Sequence, residues 1–180
     1  MNRFLAITIA LFLITFKNAE AQVGPQPSHV NWRSIENHAV KVIFPDSNLK
    51  EAQRIADVIQ HINQKATVSV GAKHKKIDLL LNTNTAQANG YVGLAPYHSQ
   101  FYATGFQNIN TMSTLNWLDN LAIHEYRHSL QFCNANRGNT KLLHLLGGET
   151  GWAMSVAFSI PNWFKEGDAV LAETILSPAG

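Results

Sequence analysis

Hydrophobic and polar positions along the chain switch between strand and helix periods in its first part and keep the helix period after Thr114. From His38 to Phe44 apolar side chains alternate at Val40, Val42 and Phe44 and stop at Pro45-Asp46, which predicts a strand. Leu49, Ala52, Ile55, Ala56, Ile59 and Ile62 then follow helical spacing, with Ser47 or Asn48 placed to cap the first turn. Ile77 to Leu81 is a short apolar run bounded by Lys76 and Asn82, the pattern of a buried strand. Asn89-Gly90 opens Tyr91 to Ala95, and Pro96 separates that stretch from Gln100 to Thr104, which predicts a hairpin or a pair of edge strands. Before all of these, Val23 to Ser28 carries two prolines and a glycine and reads as an extended lead-in.

From Thr114 onward the spacing is helical. Leu115 to Cys133 reads as one long helix, ended around Asn136 to Gly138. Lys141 to Leu146 is a short helix stopped by Gly147-Gly148, and two more follow, Glu149 to Phe158 and Pro161 to Thr174, the last with proline in its first turn. Strands come first and helices after. The expected architecture is therefore α+β: a small mixed sheet with an edge strand, followed by a helical half.

Composition narrows the function. The 180 residues carry a formal net charge of +2 and are 46% hydrophobic, enough for one domain with a core, and the 14% charged residues are too few for a disordered chain. Without a basic stripe there is little to recommend nucleic acid as a partner. The one cluster, Lys73-His74-Lys75-Lys76, reads as a solvated loop. At the N-terminus, Asn2-Arg3 precedes an apolar stretch from Phe4 to Phe16, and Ala19-Glu20-Ala21 presents small residues where a signal peptidase reads them. Residues 1–21 are thus expected to be a secretory signal cleaved after Ala21, and residues 22–180 an exported domain, periplasmic or secreted. Phe4 to Phe16 is too short to span a bilayer comfortably, and no later segment is long enough, so no membrane span is expected after signal removal. Cys133, the single cysteine, lies on an apolar helical stripe and is expected to be a small buried hydrophobe rather than a nucleophile.

The chemistry concentrates in His124-Glu125-Tyr126-Arg127-His128, an H-E-x-x-H pattern inside the long predicted helix. At helical spacing the two histidines stand about 40° apart, close enough to share a metal ion. Leu115, Leu118, Ala122, Tyr126, Leu130 and Cys133 fall on the opposite side, where the core is expected. Glu125 lies beside the pair, within reach of a metal-bound water without being a ligand. A mononuclear zinc site needs a third protein ligand and an open fourth position. Two later acids compete for that role, Glu149 and Glu166. The other histidines, His29, His38, His61, His74, His98 and His144, show no ligand spacing with one another and read as surface or loop residues.

Trp163-Phe164-Lys165-Glu166-Gly167-Asp168-Ala169-Val170-Leu171-Ala172-Glu173 matches the W-x-x-E-G-x-A-x-x-x-E stretch of aminopeptidase-type gluzincins. With the H-E-x-x-H pattern it makes the chain resemble a gluzincin zinc metallopeptidase, similar to the peptidase-like region of some larger exported bacterial proteins. The resemblance implies Zn2+ held by His124, His128 and Glu166, with Glu125 as catalytic general base and Glu173 as a partner of a ligand. The spacing from His128 departs from that group, since it suits Glu149 better, while the local sequence favours Glu166. The resemblance also implies a domain that continues past the glutamate helix, so this one is expected to be truncated at its C-terminus.

The implied function is hydrolysis of peptide or protein substrates by a zinc-activated water. The alternative is a catalytically inactive zinc-binding or scaffold module of the cell envelope. Tyr91, Tyr97, Tyr102 and Arg127 are candidates for stabilising the oxyanion, and Arg127 reads more readily as one half of a salt bridge. The segment from Tyr91 to Thr104 reads first as an ordinary edge hairpin, and otherwise as an edge where a peptide could pair its backbone.

Overall fold

The computed structural model describes residues 29–65, 70–86, 88–103 and 116–176. The expected signal segment and lead-in, the start of the long helix at 114–115 and the C-terminal residues 177–180 lie outside the described residues. Five strands form one sheet: β1 (Trp32–Glu36), β2 (Val40–Pro45), β3 (Ile77–Asn82), β4 (Ala88–Leu94) and β5 (Tyr97–Ala103). Their spatial order is β1-β2-β3-β5-β4; β2, β3 and β5 run parallel, and the outer strands β1 and β4 run antiparallel to their neighbours. Four helices complete the architecture: α1 (Leu49–Lys65), α2 (Trp117–Ala135), α3 (Gly138–Ser159) and α4 (Asn162–Leu176). The α+β arrangement with a mixed sheet is the one the sequence predicts.

Alternation makes the sheet. Val40, Val42 and Phe44 of β2, with Leu81 of β3 and Phe101 of β5, are completely buried, as expected for period-two strands with an apolar face against helices. The helix α1 crosses from β2 back to β3 and buries Ala52, Ile55, Ala56, Ile59 and Ile62. Neither Ser47 nor Asn48 caps it as predicted. A 3-10 turn over Asp46–Asn48 runs straight into its first residue, and the Ser47 hydroxyl bonds to Asn48 instead.

The strand β1 is not among the predicted elements, because most of its residues are exposed and show no apolar alternation. It is an edge that backbone pairing with β2 creates. The predicted hairpin forms as β4 and β5, with β4 at the sheet edge and a cis Ala95–Pro96 bond between the strands.

In α3 the predicted break is present. Gly148 has φ 59° and ψ −151°, a conformation open to glycine and strained for other residues, so two helical stretches meet there at a kink. The two C-terminal helices leave large apolar side chains in solvent, including Leu145, Phe158 and Trp163. Among the described residues no helix is long and apolar enough to cross a membrane.

Candidate metal centre

The helix α2 is central. Asn116 caps it by accepting the Leu118 N–H at 2.9 Å. Ala122, Tyr126 and Leu130 join the core, as the apolar stripe predicts, Ile123 joins them from beside that stripe, and Cys133 is buried. The opposite face is also largely enclosed: Glu125, Arg127, His128 and Gln131 are 3–7% exposed. Polar groups so enclosed need partners, and those of Arg127 and Gln131 come from α4, which packs along α2.

Arg127 donates from Nε and Nη2 to the two carboxylate oxygens of Asp168, both at 2.7 Å. Gln131 adds its amide N–H to Asp168 at 2.6 Å and to the Lys165 carbonyl at 3.0 Å. The Arg127 guanidinium holds the Asp168 carboxyl below its ordinary value. This clamp fixes how α4 sits on α2, and Glu166 lies within it, one residue after Lys165 and two before Asp168. Arg127 is thus the salt-bridge residue the sequence favoured, with Asp168 as its acid.

The clamp brings the H-E-x-x-H residues and Glu166 together. One ligand-capable atom from each of His124, His128 and Glu166 lies within 4.8 Å of the others. His124 Nε2 is 3.2 Å from Glu166 Oε2, and His128 Nε2 is 3.6 Å from the same oxygen. Both imidazoles are held from behind. His124 Nδ1 is 2.5 Å from Glu173 Oε1, the position of a carboxylate that orients a ligand. His128 Nδ1 is 3.0 Å from Gln131 Oε1. Because the Gln131 amide nitrogen is already donating to α4, its oxygen must face His128, which assigns the proton to Nδ1 and leaves Nε2 free. Two imidazole Nε2 atoms facing one carboxylate oxygen are, once both rings present a lone pair there, a donor set that fits zinc.

Burial disfavours the His124 imidazolium, but the Glu173 bond and the neighbouring carboxylates outweigh it and raise its pKa; burial lowers that of His128. Burial pushes the Glu125 carboxyl up to about 7, with His124 opposing and Glu166 and Glu173 adding to the rise.

These side chains open on a cavity of about 360 Å³ whose other wall is the edge strand β4, from Asn89 to Val92. Gly90 faces α2 so closely that a Cβ there would meet Leu121 at 2.9 Å. Strand alternation therefore turns Tyr91 to the opposite face of the sheet, where its hydroxyl donates to Gln100 at 2.5 Å. Of the four oxyanion candidates, none presents its polar group to the cavity. Tyr91 offers it backbone, the Tyr97 hydroxyl is 2.6 Å from Ser129 Oγ in the interior, Arg127 is bound to Asp168, and Tyr102 does not line it. A groove of about 750 Å³ between α1 and α2 is larger, but its wall carries the Arg54–Asp119 ion pair and no ligand cluster.

Glu149 is elsewhere. Just after the Gly148 kink, it accepts the Tyr97 backbone N–H at 3.0 Å and lies 3.5 Å from Lys75 Nζ, tying α3 to the start of β5. His38 and His74 meet at 3.1 Å although far apart in sequence, a neighbour relation that spacing does not reveal. Gln131, Asp168 and Lys165 are also parts of the site that the sequence alone does not single out. Gln131 lies three residues beyond His128 on the same face of α2, a signal that helical spacing carries; Asp168 and Lys165 come near only through helix packing. No protein-family model, curated protein or solved structure matches the chain.

Proposed function

We propose that the protein is an exported zinc peptidase of gluzincin type, with His124, His128 and Glu166 as zinc ligands and Glu125 as general base. The observation that carries this reading is the convergence of two back-supported imidazoles and one carboxylate at a cavity that also holds a fourth, non-ligating group, the Glu125 carboxylate. A structural zinc site gains nothing from that extra buried acid, whereas hydrolysis needs one.

When bound, zinc supplies Lewis acidity at this spot and polarises a carbonyl group. The chain's own residues do the rest. An extended peptide pairs its backbone along the outer edge of β4, the last strand of the sheet among the described residues, which brings its carbonyl against the helix wall. Glu125 takes a proton from the water that adds to the carbonyl carbon, then returns it to the amide nitrogen as the C–N bond breaks. Glu173 and Gln131 hold the two imidazoles in their working tautomers, and the Arg127–Asp168 pair keeps Glu166 in reach of them.

Elemental analysis of the purified, folded protein tests the site, and a quenched-fluorescence peptide library tests the activity. The expected result is about one zinc per chain, lost in Glu166→Ala but kept in Glu149→Ala, with cleavage abolished in Glu125→Gln. A folded protein that takes up no zinc on reconstitution refutes the metal site. Cleavage that survives Glu125→Gln refutes the mechanism, and zinc without any cleavage leaves the scaffold module.

A further inference from the structure

The metal ligands and Glu125 account for most of the helix wall of the cavity, but not for Lys165. It is the only lysine or arginine among the described residues that line the cavity. Its side chain is half-buried, and its ammonium nitrogen stands 5.9 Å from the centre of the Phe132 ring. That ring in turn stacks on His128, with centroids 6.1 Å apart and planes 13° from parallel. Lys165 makes no ion pair within 4.0 Å among the described residues. The nearby acids are engaged otherwise: Asp168 with Arg127 and Gln131, Glu173 with His124, and Glu166 with both histidines. The cavity wall therefore carries one ammonium group, on the side of Phe132 and His128, that no carboxylate among the described residues pairs within 4.0 Å.

We infer that Lys165 receives a carboxylate of the substrate, so that this site selects peptides with an anionic group close to the bond it holds. The inference rests on the peptide-binding reading of the cavity and adds a substrate class to it. The cation lies beside an apolar ring in the wall of the cavity, where an incoming carboxylate is partly desolvated and its pairing with an ammonium is stronger than on open surface. The shared chemistry is a carboxylate, either an Asp or Glu side chain or a free C-terminus.

Binding is measured by fluorescence polarisation on the zinc-loaded Glu125→Gln protein, with N-terminally labelled pentapeptides. One is neutral and C-terminally amidated, one is the same peptide as a free acid, and the others are the amide with Asp placed at each position in turn. Either the free acid or one Asp position binds about tenfold tighter than the neutral amide, and the advantage shrinks with added salt. Lys165→Ala removes the advantage and Lys165→Arg retains most of it, both with unchanged zinc content. The free-acid and Asp arms distinguish a C-terminal carboxylate from an acidic side chain.

Equal binding of all the peptides overturns the inference, as does an advantage that survives Lys165→Ala. Loss of zinc in Lys165→Ala also overturns it, because the lysine then serves to balance the ligand charges. A wild-type protein that shows the carboxylate preference but cleaves none of the peptides removes the peptidase reading and leaves this one standing.

Discussion

Replacing Glu173 by alanine tests whether the cluster of imidazoles and carboxylates is organised for a metal. Glu173 lies 2.5 Å from His124 Nδ1 and does not belong to the ligand set, whose convergent atoms come from His124, His128 and Glu166. Its contribution is to hold the ring so that Nε2 faces Glu166 at 3.2 Å. Loss of such an orienting partner costs about 10- to 100-fold in metal affinity, equivalent to about 1.4–2.8 kcal/mol. One effect opposes this. The Glu173 bond raises the proton affinity of His124, so its removal also relieves competition between proton and metal for the ring.

The two effects separate with pH, because proton competition fades as pH rises and the orienting effect does not. Competition titration against a calibrated zinc chelator, run near neutral pH and again in mild alkali, is therefore expected to show a larger loss for Glu173→Ala at the higher pH. Glu173→Gln keeps an acceptor for Nδ1–H and is expected to lie between wild type and alanine. A folded Glu173→Ala protein that binds zinc within about twofold of wild type at both pH values refutes the reasoning, because His124 would then need no support from α4.

Three further outcomes follow from the packing. Arg127→Met leaves the largely enclosed Asp168 carboxylate without its cation and is expected to lower stability by about 3 kcal/mol in urea denaturation; a change under about 1 kcal/mol would mean that Gln131 and water suffice. Gly148→Ala forces a Cβ onto φ 59°, ψ −151° and is expected to cost about 1–3 kcal/mol by the same measurement, and an unchanged transition would show that the kink tolerates a side chain. Burial raises the Cys133 thiol above its ordinary 9.0, so the unfolded chain loses that proton before the folded one does. This contribution to stability is full below about pH 9 and falls as pH rises from there toward the raised folded value. Cys133→Ala is expected to flatten that alkaline decline, and the native thiol is expected to react with Ellman's reagent only on unfolding; rapid labelling of the folded protein would contradict its burial.

Much of this molecule is legible one segment at a time. The period-two run through Val40, Val42 and Phe44 and the helical run from Ala52 to Ile62 are set by local spacing of side chains that must leave water together, and both form as spaced. Gly147-Gly148 marks a break because the backbone there needs a conformation that side chains resist. The strand β1 leaves no such mark: its exposed residues are ordered by backbone hydrogen bonds to β2, which do not depend on side-chain pattern. Tyr91 shows the same limit in the candidate site. Its identity suggests a hydroxyl donor, but the direction of its side chain is settled by the close approach of Gly90 to Leu121.

By itself the sequence determined which residues could act together on one helix. His124, Glu125 and His128 share a side of α2 because 3.6 residues make a turn, whatever surrounds them. Only the tertiary structure decided which later acid joins them. Glu149 and Glu166 both lie on helices downstream, and spacing and local sequence favoured different answers. Packing of α4 along α2, fixed by the bonds of Asp168 to Arg127 and Gln131, carries Glu166 to the histidines, while the kink at Gly148 delivers Glu149 to the backbone of Tyr97. Distance along a chain does not encode that choice, because buried polar groups take partners from whichever element lies against them.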